Sequence, residues 1–445
     1  MVSKMGSNRV LIIGHGAREH VMGEALVRGG ADLFAFMSSK NAGLEDLSKS
    51  IKIHSETDFK EIIDFCSKMN IDFAVIGPEA PLVVGIVDAL ERAEIPCVGP
   101  KIEAAQLEGS KVFTRGLLEK YKIRSNIQSK MFDSMDGLDK FIKDMGEENI
   151  VVKPDGLTGG KGVKVYGDHL FSNQEILDYC QELINQRTRF IIEEKCDGEE
   201  FTLQTFVDGK NVIGTPLVQD HKRAYEDDKG PNTGGMGSYS MEDHLMPFIS
   251  QSDVNDALGD MKKTVAAVKS ETGVEYKGFL YGQFMKTATG LKLIEYNSRF
   301  GDPEAMNVLP LLKGNFVDIC WAIINGNLKE NFEFDKKATV CKYLAPEGYP
   351  ISPKKDELIS VDKNKLEKLG ARHYYASVYR KDNYIYTTTS RAMGILGIAN
   401  SLEEAEKIAE EGVGCVTGKL FHRTDVGTKR ILQKRIAHMN LLLKT

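Results

Sequence analysis

Along the first hundred positions, short apolar runs alternate with stretches of helical period. RVLIIG at 9–14 and the runs at 33–37 and 71–76 are continuous enough for buried strands, 21–28 and 84–93 read as helices, and 96–99 adds a short strand. This alternation predicts a doubly wound parallel sheet with helices on both faces, where ligands gather outside the carboxyl ends of the strands. The pattern changes near Ile102. Ser110 is placed to cap a helix over 112–121. Strands are then expected at 150–154, 163–166, 189–194 and 201–207, followed by helical period over 252–271. Two β-runs, 279–286 and 291–297, meet at a Gly-containing turn and predict a hairpin. After a helix at 314–325, residues 338–369 read as short strands between Pro-rich turns. The runs 374–380 and 384–389 read as an antiparallel pair around Asp382-Asn383, and Ser401-Leu402-Glu403-Glu404 as a capping box. The expected class is a multidomain protein, α/β then α+β, with units at 1–105, 106–190, 191–333 and 334–445.

The hairpin concentrates the chemistry. If its loop is Ala288-Thr289-Gly290, with Gly290 in the left-handed position, then Gln283 lies opposite Glu295. Leu293, Glu295 and Asn297 share a face by alternation. One carboxylate and two amide oxygens then converge, a hard-oxygen set suited to Mg²⁺ that keeps waters and shares substrate phosphates. Ser-Arg-Phe-Gly-Asp-Pro-Glu follows as a loop carrying Arg299, Asp302 and Glu304. A surface hairpin with an ion-pair loop is the plainer alternative. Glu295 follows the apolar Leu291, Leu293 and Ile294, which puts it at the end of a buried strand.

Three further loops fall at expected strand ends. Gly14-His15-Gly16-Ala17-Arg18-Glu19-His20 joins a strand to a helix, an anion-binding arrangement of backbone N–H groups and helix dipole. Its G-x-G-x-x-G fingerprint fails because Glu19 replaces the third glycine, which argues for a phosphate or sugar-phosphate loop without NAD. Asn41-Ala42-Gly43 is the second. In Gly77-Pro78-Glu79-Ala80-Pro81-Leu82, Glu79 either bonds ribose hydroxyls or serves the helix start. Between 150–154 and 163–166 lies Asp155-Gly156-Leu157-Thr158-Gly159-Gly160-Lys161-Gly162, a flexible hairpin whose backbone can close on phosphates. It is not a Walker A loop, since Asp155 and Gly162 stand where Gly and Ser/Thr are required. Lys153 and Lys161 supply point charges for phosphate. The strand edge leading into Lys195-Cys196 is suited to adenine, with a carboxylate beyond it for the ribose. A Gly-rich loop, 230–237, follows Asp220-His221-Lys222-Arg223.

Composition changes little. At 445 residues, three or four domains are expected. A net charge of −6 gives no electrostatic case for nucleic acid. The seven cysteines contain no CxxC pair, as in a reduced chain without disulfides or structural zinc. Neither a leader-like apolar core nor a run approaching a membrane span is present, so a cytoplasmic protein is expected.

Taken in order, Gly14–His20, 77–82, 107–111, 153–163, 220–223, 230–237 and 299–304 resemble the ATP-grasp ligases, and within them the phosphoribosylamine–glycine ligase family. The resemblance spans nearly the whole chain. It implies an N-terminal phosphoribosylamine domain, a two-part ATP-grasp unit with a Gly-rich lid, and a C-terminal cap. It also implies joining of glycine to 5-phosphoribosylamine with ATP cleavage, through glycyl phosphate, in purine biosynthesis. ATP contacts would come from Lys111, Lys153, Gly156, Gly159, Gly160, Lys161, Gly162, Glu193, Glu194, Cys196 and Glu200. Mg²⁺ or Mn²⁺ would be held by Gln283, Glu295 and Asn297. Arg299, Asp302, Asp220 and Lys222 would serve catalysis. Gly16, Arg18, Glu19, His20, Asn41, Glu79, Asn232 and Pro303 would bind substrates. The implied partners are these small molecules, with no nucleic acid and no membrane, for a monomer or weak homodimer. Rival readings are another carboxylate–amine ligase of the same fold, a nicotinamide oxidoreductase built on the first loop, and a non-catalytic nucleotide-binding protein.

Overall fold

The computed structural model describes residues 7–157, 159, 162–329 and 332–444. Its N-terminal sheet is parallel, with spatial order Ser50–Ile53, Asp32–Met37, Arg9–Ile13, Phe73–Ile76, Cys97–Val98. Arg9–Ile13 pairs on either side with strands that follow it in the chain, so the loops after Ile13 and Ile76 flank the point where strand order reverses. Such a crevice is where open α/β sheets bind ligands.

Two antiparallel four-stranded sheets follow. The first has the order Ser129–Phe132, Phe190–Glu194, Ile150–Pro154, Lys164–Val165, and the Gly-rich loop joins its last two strands. In the second, Glu199–Asp208 pairs with Lys277–Thr287, which pairs with Gly290–Asn297. The hairpin departs from expectation in an instructive way. It closes on two residues, Ala288-Thr289, because Thr287 pairs with Gly290. That register would set Gln283 against Ile294. A bulge between Gln283 and Phe284 restores Gln283 opposite Glu295 while Phe284 faces Leu293. Leu293 therefore shares a face with Phe284 in the core, where both are 0% exposed. Glu295 lies on the other face with Gln283, so the expected common face for Leu293 and Glu295 is corrected.

The C-terminal region differs more. Instead of short strands, Ala338–Pro346 is one nine-residue strand, buried at every position. Lys342 disguises it in the sequence. Its ammonium, 0% exposed, meets Glu406 at 2.6 Å and also Glu410, and donates to Thr424 O at 2.9 Å. This strand pairs with Gly237–Ser240, which in turn pairs with Gln219–Asp220, so the C-terminal sheet takes in strands from the preceding unit. Of the expected pair near Asp382-Asn383, Val378–Lys381 and Tyr384–Thr387 do pair, with both turn residues at positive φ. Tyr374 belongs to Arg372–Tyr375, a strand of the larger sheet.

Candidate active site

The site forms where the bulged hairpin, the first antiparallel sheet and the C-terminal sheet meet. Helix Lys111–Lys120 starts at Ser110, whose Oγ accepts from Phe113 N at 3.1 Å and donates to Asp155 at 3.0 Å. This fixes the base of the Gly-rich loop, and Lys111 Nζ donates to Gly156 O at 2.7 Å. Lys153 contacts Glu193 at 2.6 Å, and Arg115 contacts the same carboxylate at 2.7 Å. Burial would raise the Glu193 carboxyl, but Arg115 and Lys153 hold it at about 2. Glu193, 2% exposed, thus sets the position of a lysine, and its carboxylate is engaged by two cations. Burial depresses Lys111, and the neighbouring Lys153 adds to this against the pull of Glu295. An ammonium already short of hydration is well placed to gain from a phosphate. The bulge contributes too, since Ile294 O accepts from Arg115 at 2.9 Å and from Lys153 at 3.5 Å.

On the outer face of the hairpin, Lys222 Nζ donates to Gln283 Oε1 and lies 3.8 Å from Glu295. Gln283 Nε2 donates to Glu200. Burial alone would raise the Glu295 carboxyl, yet Lys222, Lys153, Lys111 and Arg299 together lower it. A cation therefore already stands between Gln283 and Glu295. Among the described residues no group of three His, Cys, Asp or Glu side chains is set for a metal. An ionised carboxylate with the two amide oxygens of Gln283 and Asn297 still fits a hard cation that takes its other ligands from water and phosphate.

Arg299 bridges three segments. It meets Glu108 at 2.9 Å and Glu79 at 3.3 Å, and donates to Asn297 Oδ1 at 3.3 Å. Glu79 is held down to about 2, because Arg299 and Arg18 outweigh its burial. Glu108 is pushed up to about 7 by burial, with Glu79 adding to Arg299's failure to offset it. Burial also raises Asp220 and Glu304, and Glu304 further raises Asp220. Glu304 accepts from Tyr281 Oη at 2.9 Å. Pro303 caps the short helix Glu304–Val308. It also packs so closely on Gly235, at φ +108°, that a methyl carbon there would lie 2.7 Å from it and 2.6 Å from Asp220.

The N-terminal residues divide. Arg18 Nη1 donates to Phe300 O at 3.2 Å, linking this loop to the 299–304 segment. A methyl carbon on Gly16 would lie 3.6 Å from Asp302 Oδ2. The side chains of Glu19, Asn41 and His20, expected to contact substrate, are instead engaged within the protein. Glu19 accepts from Gly16 N and Arg18 Nε, both at 2.6 Å, so the helix-start anion comes from the chain itself. Asn41, 0% exposed, caps helix Ala42–Leu47 and donates to His15 O and Tyr375 O. His20 accepts from Tyr375 N at 2.9 Å. Elsewhere, Glu194 pairs with Lys292 at 3.2 Å, Cys196 is half-buried, and Asn232 is exposed on a short hairpin. Gly159 lies in the Gly-rich loop at φ +55°, with Gly162 beyond it. Gly160 and Lys161 lie outside the described residues.

Sequence reasoning missed Glu108, Arg115, Tyr343 and Arg391. Arg115 carried a signal, standing four residues after Lys111 on one helix face. Arg391 carried none, since its partners are distant in the chain. Its Nη1 donates to Gly234 O and Gly235 O at 2.8 Å and to Asp302 O at 3.1 Å, while Nη2 meets Asp302 Oδ2 at 3.3 Å.

Two antiparallel sheets that bring Lys111, Lys153 and Lys222 around the Glu295 carboxylate, behind a parallel N-terminal domain, are the arrangement of an ATP-grasp ligase. The fold matches the biotin carboxylase domain of Hydrogenobacter thermophilus 2-oxoglutarate carboxylase, with TM-score 0.71 at 13% identity over 94% of this chain and 92% of that one. Family models for the N, ATP-grasp (A) and C domains of phosphoribosylglycinamide synthetase match residues 8–108, 109–305 and 339–429. The chain belongs to that family. It is 49% identical over 431 residues to the phosphoribosylamine–glycine ligase of Thermococcus gammatolerans, covering 97% of each chain. A crystal structure of the Thermotoga maritima phosphoribosylamine–glycine ligase superposes with TM-score 0.80 at 29% identity, over 94% of this chain and 99% of that one. Among the described residues no helix is long and apolar enough to cross a membrane.

Proposed function

We propose that this chain joins glycine to 5-phosphoribosylamine at the expense of ATP, forming glycinamide ribonucleotide, ADP and phosphate in purine biosynthesis in the cytoplasm, as a monomer or weak homodimer. The glycine carboxylate attacks the γ-phosphate to give glycyl phosphate, and the amine then displaces phosphate. Lys111 and Lys153 neutralise phosphate oxygens, and the Gly156–Gly162 loop covers them and keeps water from the acyl phosphate. The strand end Glu193–Cys196 borders adenine, and Glu200 the ribose. Glu295, with Gln283 and Asn297, would hold Mg²⁺ or Mn²⁺, which when bound would neutralise phosphate charge. Arg299 and Lys222 stabilise charge on the transferring phosphoryl group. Asp302, Asp220 and Pro303 shape the acyl site, with Asn232 at its edge. The backbone around Gly16 and Asn41, with Arg18 and Glu79, receives the sugar phosphate.

The observation that carries this reading is the abutment of Gly16 on Asp302, with 3.6 Å between a carbon added at the first and the carboxylate of the second. An amine held by the N-terminal loop thereby reaches an acyl group held by the 299–304 segment. The names of full-length relatives support glycine and phosphoribosylamine as the pair. The test is ADP release with ATP, Mg²⁺, glycine and freshly generated phosphoribosylamine, each omitted in turn. Turnover that requires both glycine and the amine is expected. Turnover with another acid or amine in their absence would replace the substrates while keeping the ATP chemistry.

A further inference from the structure

Asp302 stands between the two half-reactions proposed above, and both of its carboxylate oxygens are held by the C-terminal sheet. Tyr343 Oη donates to Oδ1 at 2.6 Å, and Arg391 Nη2 meets Oδ2 at 3.3 Å. The Arg391 guanidinium lies 4.2 Å over the Tyr343 ring, so each of the pair orients the other. The same guanidinium gathers the carbonyls of Gly234, Gly235 and Asp302. It thereby ties the Gly-rich loop to the 299–304 segment beside Asp220. The backbone of Arg391 continues the connection outward. Ser377 N donates to Arg391 O at 3.0 Å, and two residues earlier Tyr375 O accepts from Asn41 at 2.7 Å. Two hydrogen bonds, joined by the backbone of residues 375–377 and by the Arg391 side chain, thus connect the sugar-phosphate loop through the C-terminal sheet to the acyl site.

We propose that Arg391 and Tyr343 are positioning residues that commit the acyl phosphate to the amine rather than to water. Resting on the ligase reading, this assigns the C-terminal sheet a coupling role. With Asp302 and the Gly234-Gly235 backbone fixed, the amine adds to the acyl carbon, the C–N bond forms, the carbon–oxygen bond to phosphate breaks, and the amine proton passes to the departing phosphate. With Asp302 released, water reaches the same carbon, its oxygen bonds there, phosphate leaves, and glycine is regenerated. ATP is then consumed without product. A group that merely stabilised the fold would not change this ratio.

The experiment measures ADP released per glycinamide product for the parent, Tyr343→Phe and Arg391→Lys. Tyr343→Phe keeps the buried ring and removes only the hydroxyl, and Arg391→Lys keeps a cation but not the forked geometry. The parent is expected to release one ADP per product. Tyr343→Phe should release at least twofold more, and Arg391→Lys more still, with KM for ATP unchanged within twofold. A ratio of one in both variants overturns the coupling role. A parent that releases ADP without needing glycine and the amine overturns the ligase reading instead, and the two failures are distinct.

Discussion

At the N-terminal loop, the Glu19 carboxylate accepts from Gly16 N and Arg18, Asn41 is fully buried beneath two backbone carbonyls, and the His20 ring stacks on Tyr375. At the hairpin, the Glu295 carboxylate finds Lys222 at 3.8 Å, and the two side chains stay 42% and 35% exposed. The residue types are alike in the two places: a carboxylate, an amide and a cation close to glycine. In the first, the protein satisfies each polar atom itself, and the result is a shaped loop. In the second, the groups hold opposite charges loosely and face a cleft, and the result is a place for ligand charge. At the N-terminal loop the Glu19, Asn41 and His20 side chains are thus spent on shaping the backbone that meets a ligand, while at the hairpin the Glu295 carboxylate itself stays open to ligand charge.

The comparison breaks most readily at Glu295. Replacing it by Ala should lower kcat roughly a thousandfold, about 4 kcal/mol of transition-state stabilisation. The thermal midpoint should stay within about 2 °C of the parent, because the side chain is 42% exposed and its charge contacts are partly screened. Steady-state ADP release and a melting curve check both halves. Activity near that of the parent would remove Glu295 from the phosphate and metal chemistry.

The reverse pattern is expected at Asn41. Asn41→Ala removes a cap whose oxygen takes Gly43 N and Leu44 N, and strands the buried carbonyls of His15 and Tyr375. Loss of the cap and of these partners together should cost about 3 kcal/mol of stability. KM for ATP should not move in the fraction that remains folded. Denaturant unfolding measures the first and initial-rate kinetics the second. A stability change below about 1 kcal/mol would mean that Asn41 is not the joint it resembles.

What the sequence made legible follows from the same contrast. The parallel sheet, the Ser110 and Ser401 caps and the Gly-rich hairpin were legible because each is a local pattern: an apolar run, a hydroxyl three residues before its backbone donor, glycines between strands. The Gln283–Glu295 pairing was reached through the wrong loop, since periodicity cannot report the bulge at Ile294 that corrects the register. The strand Ala338–Pro346 was hidden by Lys342, whose partners Glu406 and Glu410 lie more than sixty positions away. Arg391 was missed for the same reason, as its partners Gly234, Gly235 and Asp302 are at least 89 positions distant. Long-range partners decide whether a charge is structural or available, and a single sequence does not reveal them.

His20 offers the smallest but most discriminating test of the N-terminal half. Burial depresses its imidazole to about 3 from an ordinary 6.5; the neighbouring His373 and Lys363 work in the same direction, and Asp46 opposes them. Tyr375 N donates to its Nδ1, so the folded protein holds the ring neutral. The unfolded chain binds a proton there below pH 6.5 and the folded chain does not until about pH 3. The stability this group supports is therefore complete above 6.5 and declines as the pH falls through that window. Between pH 6.5 and 5 the loss should be about 2 kcal/mol, at 1.4 kcal/mol per unit for one proton. His20→Asn keeps an acceptor near Nδ1 and cannot take up the proton. Its unfolding free energy should be lower than the parent's at pH 7.5 but flatter between pH 6.5 and 5, so that the two curves converge as the solution is acidified. His221, also depressed by burial, to about 4, titrates equally in both proteins and cancels in the difference. Parallel curves would show that His20 is already protonated in the folded state, and that the joint between the N-terminal loop and the C-terminal sheet is open enough to admit water.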